Sequence, residues 1–221
     1  MLLVRAIVRA TDLPRPPMPD LVVVSAERVA ALATRASSAP APTEAALREH
    51  ERVAREIHDA VPSLPSRFGQ LYTDEPALAR ALQDREAALA LSLDEVGERV
   101  ELAVTLEWRN DRTARQAEAR ESRSGRAYLE ARAVREHERQ EAEQVVARLV
   151  EQLPCERAFI RHRMCPREGV AAVLAILAWR DEVTNLQEAV VSFGERSAEV
   201  SALVHGPVPP YTFAHDEKYR E

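Results

Sequence analysis

The sequence predicts an α+β protein of two domains, and three observations predict it. Hydrophobic residues make up 46% and charged residues 30% of 221 residues, the balance of a folded chain long enough for two small cores. Short β-branched runs are interspersed with longer segments whose apolar residues recur at helical spacing. From residue 98 onward the elements run strand, long helix, strand, strand, helix, strand if 170–179 is a strand, which is the order of a split βαβ, ferredoxin-like domain. We place a small α+β domain at residues 1–95, the ferredoxin-like domain at 96–206 and a proline and aromatic tail at 207–221.

In chain order, "LLVRAIV" (2–8) and "DLVVVSAE" (20–27) read as strands, joined by the proline-dense "TDLPRPPMPD". Residues 33–42, "ATRASSAPAP", read as a loop. Thr43 fits an N-cap for a helix with Ala46, Leu47, Val53, Ala54, Ile57 and Val61 at helical spacing. "SLPSRFGQLY" (63–72) reads as one short strand, with Gly69 a bulge or a close-packing point. Asp74 caps a second helix, with Pro76 in its first turn and Leu78, Leu82, Leu89 and Leu93 on one side. In "ERVELAVTLEW" (98–108), Val100, Leu102, Val104 and Leu106 alternate with polar residues as in a half-buried strand.

The charged stretch 109–126 is a linker or a solvated helical extension. A long helix follows to about residue 153, apolar at its ends and charged through "REHERQEAEQ", a solvated face with i,i+4 pairs. "RAFIRHR" (157–163) reads as a strand. "GVAAVLAILAW" (169–179) suits a helix by its alanines and a buried central strand by its length and continuity. Residues 181–196 form a helix with Gly194 near its end, and 198–206 a last strand.

Several function classes find no support. A net charge of −6 offers no basic footprint for nucleic acid. The longest apolar run, 169–179, is about half of what a membrane span needs, so no lipid membrane is expected as a partner. Cys155 and Cys165 lack the spacing and companions of a metal site and read as free thiols. With no secretory signal expected in "MLLVRAIVRA", the reducing cytoplasm is the expected compartment. The histidines are scattered: His50 and His58 share a helix face two turns apart, too distant to chelate one ion, and suit surface or capping roles. Neither a phosphate-binding glycine loop nor a nucleophile elbow occurs, so no cofactor, no metal and no catalytic residue is expected.

The tail is more informative. In "HGPVPPYTF" (205–213), three prolines fix φ and remove backbone donors, predicting an open, polyproline-like strap that ends in Tyr211 and Phe213. Such a strap can present aromatic anchors to a partner, or clasp the protein's own surface with both aromatics in slots between the domains; burial favours the clasp. Arg67, beside a predicted strand, either pairs with a carboxylate across the domain junction or lies exposed.

Three landmarks together carry a resemblance over nearly the whole chain. "LPSRFGQLY" resembles the Leu-Pro-x-Arg-Phe-Gly stretch of the gas vesicle protein F/L family, matching at Leu64, Pro65, Arg67, Phe68 and Gly69. "GRAYLEAR" is similar to that family's Gly-x-x-Tyr-Leu helix opening at Gly125, Tyr128 and Leu129. The terminus resembles its Gly-Pro-Trp-Pro-Pro-Tyr-x-Phe closing at Gly206, Pro207, Pro209, Pro210, Tyr211 and Phe213. Val208 stands where that family usually has tryptophan, and Ser66 where it usually has an aliphatic residue. The resemblance implies a cytoplasmic, gas vesicle-associated accessory protein without catalytic residues. Its implied partners are the small, hydrophobic shell protein and other accessory proteins, with the motif positions structural or partner-binding. The competing reading is a ferredoxin-like small-molecule-binding or catalytic domain, which requires a pocket with convergent polar groups.

Overall fold

A computed structural model of the chain describes residues 1–14, 18, 20–109, 125–154 and 159–214, the side chains of 125–131 excepted. Among the described residues are nine strands and five helices in a mixed α/β arrangement. The described residues divide into two compact units: Met1–Glu101 together with Val208–Ala214, and Leu102–Pro207. The division falls at Glu101/Leu102, and the described residues from Val208 to Ala214 belong to the first unit.

In the first unit β1 (Leu2–Arg9) lies between β3 (Val29–Arg35) and β4 (Ser63–Pro65), with β2 (Val22–Ser25) outside β3 and β5 (Leu71–Tyr72) pairing the start of β1. All these pairs are antiparallel. Ala6 pairs with Leu32 and Val8 with Ala30, so these four side chains share a face. They form a core with Ile57 of α1 (Glu44–Ala60). The opposite face carries Arg9, which pairs with Asp94, and Arg35, which pairs with Glu75. Both acids lie on α2 (Glu75–Val96), which packs on that face and runs along β3.

Two sequence readings are corrected here. β3 occupies residues left unassigned or read as loop: Val29, Ala30, Ala31, Leu32 and Ala33 are all buried in it. Residues 63–72 are not one strand. Their middle turns through Gly69 at φ +79°, a conformation that favours glycine, with Gln70 N donating to Arg67 O. The two helix starts are as expected: Thr43 accepts from Ala46 N at 3.3 Å and Asp74 from Ala77 N at 2.8 Å.

The second unit has four strands in the order β7 (Ile160–Met164), β8 (Val170–Ala178), β6 (Val100–Trp108), β9 (Val200–Val208). The ambiguous run 169–179 is therefore the central strand β8, buried along nearly its whole length. Trp108 N donates to Gly169 O and Arg109 N to Glu199 O, so the end of β6 meets the starts of β8 and β9, the antiparallel geometry. The linker reading of 109–126 falls mostly outside the described residues.

Two helices belong to this unit, α3 (Gly125–Gln152) and α4 (Val183–Arg196). Ala142, Val145, Val146 and Leu149 of α3 form a buried stripe at helical spacing, while residues 132–140 are exposed or nearly so. His137 and Arg139 pair with Glu141 and Glu143 along that surface. Gly194 is not a terminator of α4. The helix runs past it to Arg196, and a Cβ there would stand 2.8 Å from both Cβ and N of Ala202, so glycine lets α4 touch β9. No described helix is long and apolar enough to cross a membrane.

Candidate functional site

The motif at 64–69 is held by its own backbone. Leu64 and Pro65 lie in β4, opposite Ile7 and Ala6, and Ser66 N donates to Arg5 O at 3.0 Å. Ser66, the departure from the aliphatic pattern, is buried with its hydroxyl donating to Val4 O. Its own carbonyl accepts from Nε2 of His50, on α1, at 3.0 Å. A carbonyl only accepts, so Nε2 carries the proton and Nδ1, 3.4 Å from Arg5 Nη1, presents its lone pair. Arg5 in turn donates from Nε to Thr34 Oγ1 at 3.1 Å. Phe68 sets its ring edge-on to His50, the centroids 5.6 Å apart and the planes at 84°.

The terminus arrives at the same histidine. Gly206, at φ +129°, and Pro207, joined by a cis peptide bond, continue β9, and Gln187 donates to Gly206 O at 3.1 Å. Pro209 and Pro210 are buried, and Tyr211–Ala214 then form a single helical turn, α5, in which Ala214 N donates to Pro210 O. The expected strap is thus part strand and part helical turn. It packs against β4 and α2, with Phe213 fully buried. Tyr211 lies 6.5 Å from the His50 ring. Glu101, itself buried, accepts from Thr212 N at 2.7 Å and from Thr212 Oγ1 at 2.8 Å, which ties the turn to the end of the first unit's chain.

Burial and the nearby Arg5 cation hold the His50 pKa below its ordinary value, against the pull of the Ser66 carbonyl. Burial first, and Glu51 second, push the Tyr211 phenol up to about 12. Burial lowers the Arg5 pKa. His58 is similarly enclosed, Nε2 donating to Arg99 O at 2.8 Å and Nδ1 accepting from Ser63 Oγ at 3.2 Å. The expectation of surface or capping histidines is therefore corrected for both: each satisfies its two ring nitrogens inside the fold. Among the described residues, no group of three or more His, Cys, Asp or Glu could hold a metal ion. The arrangement around His50 can fasten the segment after β9 to the first unit.

The sequence pattern described as Gas vesicle synthesis protein GvpL/GvpF matches residues 17–215. The chain belongs to the GvpL/GvpF family. The crystal structure of the gas vesicle protein GvpF from Anabaena sp. PCC7120 is similar in fold at a TM-score of 0.72, with 17% identity, covering 100% of this chain and 98% of that one. GvpF from Microcystis aeruginosa is similar at 0.70, with 15% identity over 97% and 98% of the respective chains. No curated protein sequence matches.

Of the GvpL/GvpF motif positions, the structure brings together the first and last sets: Phe68 and Tyr211 meet at His50, and Phe213 lies in the same unit. Arg67 is exposed and forms no ion pair among the described residues. Gly125, Tyr128 and Leu129 open α3, and their side chains lie outside the described residues. Sequence reasoning missed Glu101 and Arg5. Each reads as a polar residue on an apolar strand, and only a partner far away in the chain reveals the role.

Proposed function

We propose that the chain is a gas vesicle accessory protein that works by protein–protein contact and catalyses no reaction. It binds the small hydrophobic shell protein, covering its apolar face until the subunit meets the growing shell, and it engages other gas vesicle accessory proteins. Exposed apolar surface of that kind otherwise aggregates. The observation that carries this reading is the GvpL/GvpF family match over residues 17–215. We read Leu102–Pro207 as ferredoxin-like, a reading supported by the order β7-β8-β6-β9 with helices after β6 and β8. The motif residues at 64–69 and 206–213 act structurally, holding the segment after β9 on the first unit; the burial of Leu64, Pro65, Pro209, Pro210 and Phe213 supports this. The charged surface of α3 keeps a complex in solution, in the cytoplasm and at the vesicle. Neither nucleic acid nor lipid is a partner.

Co-expression with a gas vesicle shell protein, followed by affinity capture of this chain, tests the proposal. The shell protein is expected in the eluate with the other accessory proteins. Its absence while those proteins are retained overturns the reading.

A further inference from the structure

The second unit holds a groove of about 290 Å³ where α3 and α4 both end and β9 begins. Phe193 lies beneath it, only 6% exposed, and Arg148, Gln152, Arg196, Ser197 and Glu199 form the walls. The wall at residues 197–199 is braced. Arg109 donates to the carbonyls of Gly194, Ser197 and Val200 at 2.8 to 3.1 Å. Ser197 Oγ accepts from Glu199 N at 3.3 Å and Val200 N at 3.2 Å.

The charges are unequal. Arg148 is neutralised by Glu199. Arg196 donates only to the neutral amide oxygen of Gln152, at 3.0 Å, among the described residues. A guanidinium has five N–H donors in a planar fork, so Arg196 keeps donors and a full charge at the mouth of an apolar slot. A carboxylate joined to an apolar body complements it. The surroundings specify a polypeptide. β9 starts at Val200, next to the groove, and is the last strand of its sheet, leaving a row of backbone groups without a strand partner among the described residues. Leu203, 58% exposed, stands farther along that strand.

We propose that this groove binds an acidic, apolar-flanked segment of a partner polypeptide. One carboxylate of the segment pairs with Arg196, the adjoining apolar side chain rests on Phe193, and the neighbouring residues run beside β9. The inference rests on this unit alone, so its test is independent of shell-protein capture.

The probe is a fluorescein-labelled, end-capped heptapeptide with glutamate between valines and leucines, titrated against the full chain by fluorescence polarisation beside its glutamine counterpart. The glutamate peptide is expected to bind about tenfold more tightly, the discrimination of a charge-assisted hydrogen bond. Arg196→Gln should abolish that preference, and Arg196→Lys restore only part of it, since lysine lacks the fork. Unchanged circular dichroism and Tm in both variants keep the comparison about binding. Equal binding of the two peptides, or a preference that survives in Arg196→Gln, overturns the proposal. So does displacement by millimolar inorganic phosphate or succinate as effective as by unlabelled peptide, which would mark a free-anion site.

Discussion

His50 shows how a single side chain links distant parts of the first unit. Its Nε2 donates to the Ser66 carbonyl, Nδ1 faces Arg5, and its ring touches Phe68 on one side and approaches Tyr211 on another. A second proton would have to sit on Nδ1, facing the guanidinium of Arg5. Burial first, and that cation second, hold the folded-state pKa below the unfolded value of about 6.5. The unfolded chain therefore takes up a proton first as pH falls, and His50 contributes stability above about pH 6.5 that is lost on descent toward the folded pKa. The urea midpoint should fall more between about pH 7.5 and pH 5.5 in the wild type than in His50→Gln. Equal falls would show that His50 contributes no proton linkage. None of this was legible in the sequence, because periodicity places His50 on a helix but does not say which face is covered. Ser63, by contrast, was bounded correctly as a strand start and only its bond to His58 was hidden.

Elements with strong local signals were legible. Thr43 and Asp74 announce their helices, and the alternation through Val100, Leu102, Val104 and Leu106 announces β6. β3 was not, and β8 was legible only as one of two alternatives, for one physical reason: alanine has no strong β preference, so an alanine-rich strand shows itself only through the elements that crowd it. The terminal turn belongs to the same group. Prolines forecast an extended strap, yet Pro210 sits just before Tyr211 at the start of a turn, where its lost donor costs nothing. Phe213 fills a closed site within the first unit, and Phe213→Ala should destabilise it by about 3 to 5 kcal/mol. Urea unfolding followed by far-ultraviolet circular dichroism measures this. A loss below about 1 kcal/mol would mean the site collapses around the missing ring.

At the scale of the molecule, two α/β units share one chain that leaves the first at Glu101 and returns to it at Val208. Each unit has a local lesion that tests its packing separately. In the second, Gly194→Ala gains about 1 kcal/mol of helix propensity but forces a methyl to 2.8 Å from the Ala202 backbone, at about 1 to 3 kcal/mol. Because backbone cannot swing aside as a side chain does, the net effect should be a loss, seen as faster hydrogen exchange in β8 and β9. Unchanged or slower exchange there would show that α4 shifts without strain. The family landmarks were legible at this scale too, since the match spans both units. Which residues the landmarks gather around was not.

The return of the chain to its first unit has a consequence for biosynthesis. A ribosome delivers β1 to α2 early, but the aromatic plug Phe213 emerges only after the entire second unit has been translated. At about 5 to 20 residues per second, that delay lasts on the order of 5 to 20 s. Throughout it the nascent first unit carries an open apolar socket, so its maturation is timed by codons that lie beyond the whole second unit.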